Sequence, residues 1–439
     1  PAEDVMAAEP ETDVVVIGAG LAGLGAATVL RRHGVRCRVL EAAGRIGGRA
    51  WTAYPPALGG VWFDMGAVWL HDAEHNPLVD IARAAGDRLL RSDEIRRERT
   101  FVGNRPATPA ELAEYEAAWP RFEAMTDRLL AERGDVPLSE TTRHLPGDPW
   151  AATVEAWEGP VICTVDADAF SARDWRRNAL GGSNLVPDGG IGALVERRLA
   201  RGLDIHLNTP VHRVRWAGAG GRVAVDTDTG TVAARAVIVT VSTGVLASGR
   251  LAFDPPLPLE TQAAIHGLPM GLALKVALRA TGADRLDLPT HTSVDRQVAR
   301  GEPLVPFQFW PFGRDYVQGW IGGTVAWDLA RAGEAAAADF ALAQIRALFG
   351  SRADRVFAGG GRVVTRWDAD PFTLGAYSYA RPHCAEARDR LADPVGDGHL
   401  LFAGEACHVP LASTVAGAWI AGQRAADTAA GVIRAASKV

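Results

Sequence analysis

Apolar and polar positions change rhythm along this chain in a way that separates strands from helices. The opening segment, DVVVIGAGLAGLGAATVLRRHG, holds four consecutive aliphatic residues from Val14 to Ile17. These predict a buried strand, followed by a glycine turn and by helical spacing to about His33, with Gly34 as the stop. VRCRVLE, residues 35 to 41, predicts a second strand. In the middle, DIHLNTPVHRVRWAGAGGRVAVDTDTGTVAARAVIVTVSTGVL reads as strands broken at the turn-forming clusters AGAGG and DTDTG. Its apolar run AVIVTVS suits a buried strand that returns to the domain of the opening segment. HLLFAG, close to the C-terminus, predicts a short apolar strand, then a loop, then a long Ala/Gly-rich helix from about Thr414. Residues 76 to 131 show helical spacing with Thr108 and Pro109 as a start signal, and residues 251 to 380 mix strands such as YVQGWIGG with the helix EAAAADFALAQIRALF. The expected fold class is α/β, or α+β over the whole chain.

One strand asks a chemical question. In GLALKVAL, residues 271 to 278, alternation places Leu272, Leu274, Val276 and Leu278 on one face and Ala273, Lys275 and Ala277 on the other. The lysine either belongs to a solvated face, which also suits Arg279, or uses the small neighbours to reach a partner close to the strand.

At 439 residues the chain is too long for one compact core, so two domains are expected. Hydrophobic residues make up 48%, charged residues 22%, and the net charge is −6. This is the composition of a soluble globular protein, and with no basic run it argues against a nucleic-acid or anionic-lipid surface. Cys37, Cys163, Cys384 and Cys407 lie far apart without a CxxC, so neither a zinc site nor a disulfide framework is expected, and a cytoplasmic location fits. The first thirteen residues are acidic and lack the positive start of a secretory signal, which leaves open export by a peptide already removed. VVVIGAGLAGLGAATVL, residues 14 to 30, carries no charge but contains four glycines. It also falls short of the ~20 residues a membrane span needs, so a nucleotide-binding turn explains it better.

That turn is Gly18-x-Gly20-x-x-Gly23. The first glycine makes the tight turn, the second lets the backbone approach a pyrophosphate, and the third allows close helix–strand packing. The helix start at Leu21 and Ala22 supplies N–H groups and a partial positive charge to the phosphates. Glu41, at the end of the second strand, stands at the expected distance for the carboxylate that takes ribose hydroxyls. GRIGGRAWT follows directly, with Gly47 and Gly48 between Arg45 and Arg49, giving two cations and flexible backbone near the diphosphate.

With these residues the chain resembles the flavin-dependent amine oxidases, the family of monoamine and polyamine oxidases, whose second strand is followed by a motif like LEAAGRIGGR. Ala43 departs from the usual arginine. The resemblance implies a Rossmann-like FAD-binding domain of the glutathione-reductase type, discontinuous over residues 11–75, 180–250 and 395–435. A mixed-sheet and helical substrate domain would take residues 76–179 and 251–394. It also implies that the backbone of Val211 meets the adenine, that Gly404 and Glu405 contribute to the cofactor site, and that the helix N-terminus at Thr414 and Val415 faces the flavin N1/O2 edge. Gly66, Ala67, Val68 and Trp69, in the segment FDMGAVWLHD, fall on cofactor-contacting positions.

On the substrate side, GLPMGLALKVAL resembles the strand bearing the family's flavin-facing lysine, which holds a water near N5, and Lys275 falls on that position. WDADPFTLGAYSYARPH resembles the segment crossing the substrate face of the flavin. Trp367 begins it and Tyr377 matches one tyrosine of an aromatic cage. Ala376 stands where monoamine oxidases bond flavin through a cysteine, so noncovalent FAD is expected. Thr414 takes the second cage position and His71 the place of a histidine in animal polyamine oxidases, while the arginine of L-amino-acid oxidases is missing. The implied reaction oxidises a neutral amine to an imine by hydride transfer to flavin N5, with O2 as acceptor, hydrogen peroxide as product and hydrolysis to an aldehyde or ketone. FQFWPFG, residues 307 to 313, could line the amine pocket or belong to the core. Alternatives are a polyamine-specific oxidase, a related flavin desaturase or dehydrogenase, a flavin-binding redox sensor without turnover, and a nicotinamide enzyme. Residues 76 to 180 carry little of the resemblance, and a homodimer is compatible with the sequence without being specified by it.

Overall fold

The computed structural model describes residues 11–178, 180–218 and 222–436. Most of the acidic leader and of the AGAGG turn therefore lies outside the described residues. Three distant stretches of chain meet in one five-stranded parallel sheet. Its order is Leu400–Phe402, Ala236–Val239, Val14–Ile17, Cys37–Leu40 and Ile205–His206. Val14 pairs with both Ala236 and Cys37, so the first strand is central. Its four residues are all buried, which is why it is aliphatic on both faces rather than alternating.

Helix Leu21–Arg32 leaves the first strand through the glycine turn, and helix Val415–Ala436 packs across it. Glycines set how closely they approach. A Cβ on Gly422 would meet the Ala22 carbonyl oxygen at 1.9 Å, and one on Gly25 would meet that of Trp419 at 2.6 Å. Neither position admits a side chain without moving the backbone.

The second large sheet has seven strands, in the order Arg362–Val364, Ala273–Arg279, Tyr316–Gly322, Phe307–Phe309, Thr292–Arg296, Arg97–Val102 and Arg105–Pro106. Two of these strands fall within residues 76 to 131, between the segments NPLVDIARAAGDRLL and TPAELAEYEAAWPRFEAMTDRLLA whose spacing predicts helices. That stretch contains the helices Pro77–Ala84 and Pro109–Arg133, but Leu89–Arg91, Arg97–Val102 and Arg105–Pro106 are strands. The charge-rich RRERTFV resembles a polar helix turn, and its sheet partner Thr292–Arg296 lies far along the chain. The start signal works as expected: Thr108 caps the long helix and forms a capping box with Glu111.

Leu272, Leu274, Val276 and Leu278 belong to the core above this second sheet. The other face of their strand is also covered, with Ala277 fully buried and Lys275 only 5% exposed, so the solvated-face alternative for the lysine is ruled out. Phe307, Phe309 and Trp310 are likewise core residues. The alternative that placed the aromatics of FQFWPFG on the amine pocket is therefore corrected: of the described residues here, Gln308 and the preceding Pro306 line the large cavity, while Phe312 borders a separate surface groove. Among the described residues no helix is long and apolar enough to cross a membrane.

The helix crossing gives a direct test. Gly422→Ala forces Leu21–Arg32 and Val415–Ala436 apart and is expected to cost about 1–3 kcal/mol by overpacking. Urea unfolding of the purified protein against wild type measures it.

Candidate active site

A cavity of about 740 Å³ runs between the two sheets, and the sequence-predicted site residues converge on it. Its walls include Gly18, Gly20, Leu21, Ala22, Glu41, Arg45, Gly47, Gly48 and Arg49 at one end and His71, Lys275, Trp367 and Tyr377 toward the other. Gly66 to Trp69, Val211, Gly404, Glu405, Thr414 and Val415 also line it. Gly23 does not, and its role is packing: a Cβ there would stand 1.9 Å from the Gly18 carbonyl oxygen.

The first end is shaped for a dinucleotide. Gly18 has φ +103°, a conformation that favours glycine, and a Cβ at Gly20 would meet nothing within 4 Å, so the second glycine opens the cradle to a ligand. No side chain caps helix Leu21–Arg32, which leaves its first N–H groups for an anion. Glu41 accepts hydrogen bonds from the amides of Ala19 at 2.6 Å and Ala43 at 2.7 Å, which fixes the carboxylate beside the turn. Arg45 donates to the Gly48 carbonyl at 2.7 Å and its guanidinium lies 4.6 Å from the centre of the Trp51 ring.

Arg49 has a role that spacing alone could not reveal. It donates to the Ala376 carbonyl at 2.8 Å and to Glu405 at 2.9 Å, tying the glycine-pair loop to the C-terminal part of the site. Glu405 in turn accepts from the Ser378 hydroxyl at 2.7 Å, and Ser378 accepts from the buried Arg388, which is paired with Asp174 at 2.7 Å. Thr414 caps the last helix, accepting from the Gly417 amide at 2.9 Å, so the N–H of Val415 remains at the cavity wall.

Lys275 is the pivot of the other end. Its ammonium donates to the carbonyl oxygens of Asp64 and of Gly66, the latter at 2.9 Å, leaving one donor for a ligand or water in the cavity. Burial lowers its pKa to about 8 against the pull of nearby Asp64. The same segment is held by Trp367, whose indole N–H donates to the Met65 carbonyl at 3.0 Å. Asp64 is buried and its carboxyl is raised to about 6 by desolvation, although Thr52, Lys275 and the Ile191 amide all favour the ionised form.

His71 is oriented by a relay. Asn184 donates through its side-chain amide to Asp93 at 3.1 Å, which turns its oxygen toward His71 Nδ1 at 2.6 Å. Nδ1 therefore carries the proton and Nε2 is left as an acceptor. Burial holds this histidine below its ordinary pKa. Tyr377 donates to the Ile162 carbonyl at 2.7 Å, and Trp69 and Trp320 lie with ring centres 5.5 Å apart.

Several lining residues escaped the sequence reading: Asp64, Asn184 and Asp93 behind the wall, and Trp157, Ile162, Cys163 and Trp320 on it. Residues Trp157–Cys163 form a π-helix, a conformation common at functional sites, and Pro160 within it was the visible signal. The close approach of this segment is written in glycine, because a Cβ on Gly322 would meet the Pro160 carbonyl oxygen at 1.6 Å.

A parallel sheet with a glycine-cradled anion site, opening into an apolar chamber with a buried lysine, defines a dinucleotide-cofactor redox enzyme. The sequence profile of flavin containing amine oxidoreductases matches residues 21–430, and the chain belongs to that family. Its cofactor is FAD. Polyamine oxidase 3 of Oryza sativa subsp. japonica is 29% identical over 97% of this chain and 90% of its own length. Lysine-specific histone demethylase 2 of Homo sapiens is 29% identical over 94% of this chain, which spans 53% of that protein. The solved structure of a putrescine oxidase bound to putrescine shares the fold, with a TM-score of 0.76 at 21% identity, covering 95% of this chain and 98% of the other.

The buried carboxyl makes a prediction with a fixed sign. Folded Asp64 takes up its proton near pH 6 and the unfolded chain only near its ordinary value of 3.8, so its linked contribution rises as pH falls between those values. The stability of wild type relative to Asp64→Asn should therefore increase from pH 6 to pH 4. Urea unfolding of both proteins at steps across that window checks the slope.

Proposed function

We propose that the protein oxidises an amine at the carbon bearing nitrogen, using noncovalently held FAD and O2, and releases hydrogen peroxide and, after hydrolysis, an aldehyde or ketone. The observation that carries this reading is the Lys275 ammonium, buried on two carbonyl oxygens in the same cavity that begins at Gly18. When bound, FAD supplies a two-electron acceptor for a hydride equivalent and passes the electrons to O2.

The residues present fit that cofactor. The cradle at Gly20 and the uncapped helix start suit its diphosphate, Glu41 its ribose, and the N–H at Val415 the flavin edge where negative charge gathers on reduction. Lys275 would hold a water at the flavin, using its remaining donor. Ala376 offers no sulfur for a covalent link, so acid precipitation should release the yellow colour into solution.

The substrate must reach the reacting position as a free amine. Aromatic walls from Trp69, Trp320 and Tyr377 lower the pKa of a bound ammonium by desolvation. His71, neutral and with Nε2 as acceptor, takes a hydrogen bond from the amine nitrogen and orients its lone pair. Asn184 and Asp93 act through His71 as positioning residues.

Two measurements test this reading. An amine panel assayed for peroxide should give turnover, and silence across mono-, di- and polyamines would leave the redox-sensor alternative in its place. Lys275→Met and His71→Ala should each lower kcat/KM by about 100-fold. A Lys275→Met enzyme as fast as wild type in both half-reactions would remove the reason for preferring amine oxidation over desaturation.

A further inference from the structure

The floor of the substrate chamber is one face of the seven-stranded sheet. Lys275 pairs with Trp320, Gln318 on that strand pairs with Gln308, and Gln308 pairs with Ser293. Lys275, Trp320, Gln308 and Ser293 all line the cavity. The track from Lys275 to Ser293 crosses three strand spacings and steps two residues along one strand, roughly 16 Å. That is the extended length of a chain of about twelve single bonds.

Arg96 and His291 lie at the far end of this track and belong to two cavities at once. They line the buried chamber and also an open surface groove with Arg88, Arg91, Arg97 and Arg314. The acids of the groove are already used, Asp188 by Arg88 at 3.5 Å and Glu94 by Arg91 at 2.6 Å. Arg96 is shared between Glu98 at 3.2 Å and Asp93 at 3.6 Å. Arg97 and Arg314 have no carboxylate partner among the described residues, and Arg314 is held instead 3.6 Å over the Trp62 ring.

Among the described residues that line the chamber, the carboxylates sit in the cofactor half: Glu41 on the glycine turn, Asp370 next to Arg45, and Glu405 on Arg49. Asp295, behind the lining at the far end, is engaged by the Trp157 indole N–H at 3.1 Å. His291 is pushed down to about 4 by burial and by Arg96, so it adds an uncharged donor or acceptor. A diamine or polyamine entering amine-first would leave its distal cation among Arg96, Arg97 and Arg314, where the nearest acids, Glu98 and Asp93, are already paired with Arg96. An anion there would meet two guanidinium groups without a carboxylate partner, the side chain best suited to carboxylate and phosphate.

We infer that the substrate is an amine whose far end carries an anionic group, and that Arg97 and Arg314, with Arg96, form the subsite that receives it at the mouth of the chamber. This rests on the amine-oxidising reading and narrows it to a substrate class opposite in charge to a polyamine. The subsite lies across the sheet from Lys275, so the anion is remote from the reacting carbon.

The test uses the purified holoenzyme and a matched set: octylamine, diaminooctane and ω-amino-octanoate, with their dodecyl counterparts. The aminocarboxylates should exceed the diamines of equal length in kcat/KM by about tenfold or more, with the longer chain favoured. In Arg97→Gln/Arg314→Gln the ratio of kcat/KM for aminocarboxylate to that for alkylamine should fall about tenfold, through KM. Octanoate should compete with octylamine in wild type and lose that competition in the double variant. A preference for the diamine, or a ratio the double variant leaves unchanged, overturns the inference while amine oxidation stands. No turnover of any of the six compounds overturns the amine-oxidising reading, and this inference with it.

Discussion

Everything on the substrate side depends on a buried ammonium held by backbone. A lysine taken out of water must find acceptors, and Lys275 finds them on the carbonyl oxygens of Asp64 and Gly66 rather than on a carboxylate side chain. The choice has two effects. The charge is satisfied but not neutralised in contact, so burial pulls the pKa down to about 8 and the group stays close to titration. It also locks residues 64 to 67 between the lysine, Trp367 and the Arg49 carbonyl, and this segment then continues along the cavity wall to His71.

The cofactor half uses the same logic with the opposite polarity. It presents N–H groups from two helix starts and one fixed carboxylate, and its close contacts are made by glycine rather than by tight side-chain fit. The two halves are joined by Arg49, Glu405, Ser378, Arg388 and Asp174, a buried chain of charge-assisted hydrogen bonds. Such a chain makes the position of one half a condition on the order of the other.

The legible parts of the site were those whose physics is local. A glycine turn between a strand and a helix, a carboxylate at the end of the next strand and a threonine before a helix each act through residues a few positions away. Gly18, Gly20, Glu41 and Thr414 therefore stand where their spacing predicts. Lys275 was recognisable as an oddity among alanines, but its acceptors lie 209 and 211 positions away, and no pattern announces them. Gln308 carries a similar sign, a polar residue between two buried phenylalanines, with its face toward the cavity and theirs toward the core. The strands at 97 to 106 were hidden because an edge of a sheet tolerates charge, and the π-helix because its bonding pattern has no sequence periodicity of its own.

The crossing at Gly25 and Gly422 reaches beyond packing. Helices Leu21–Arg32 and Val415–Ala436 touch there, and both begin at the cavity wall, at Leu21 and Val415. The pair behaves as a calliper whose pivot is two missing side chains and whose tips are the electropositive helix ends on the cavity wall. The gap between those tips is therefore set by the crossing, several residues from any ligand. Descendants of this fold that retune the redox potential or grip of their cofactor have a route that touches neither: they can adjust the pivot.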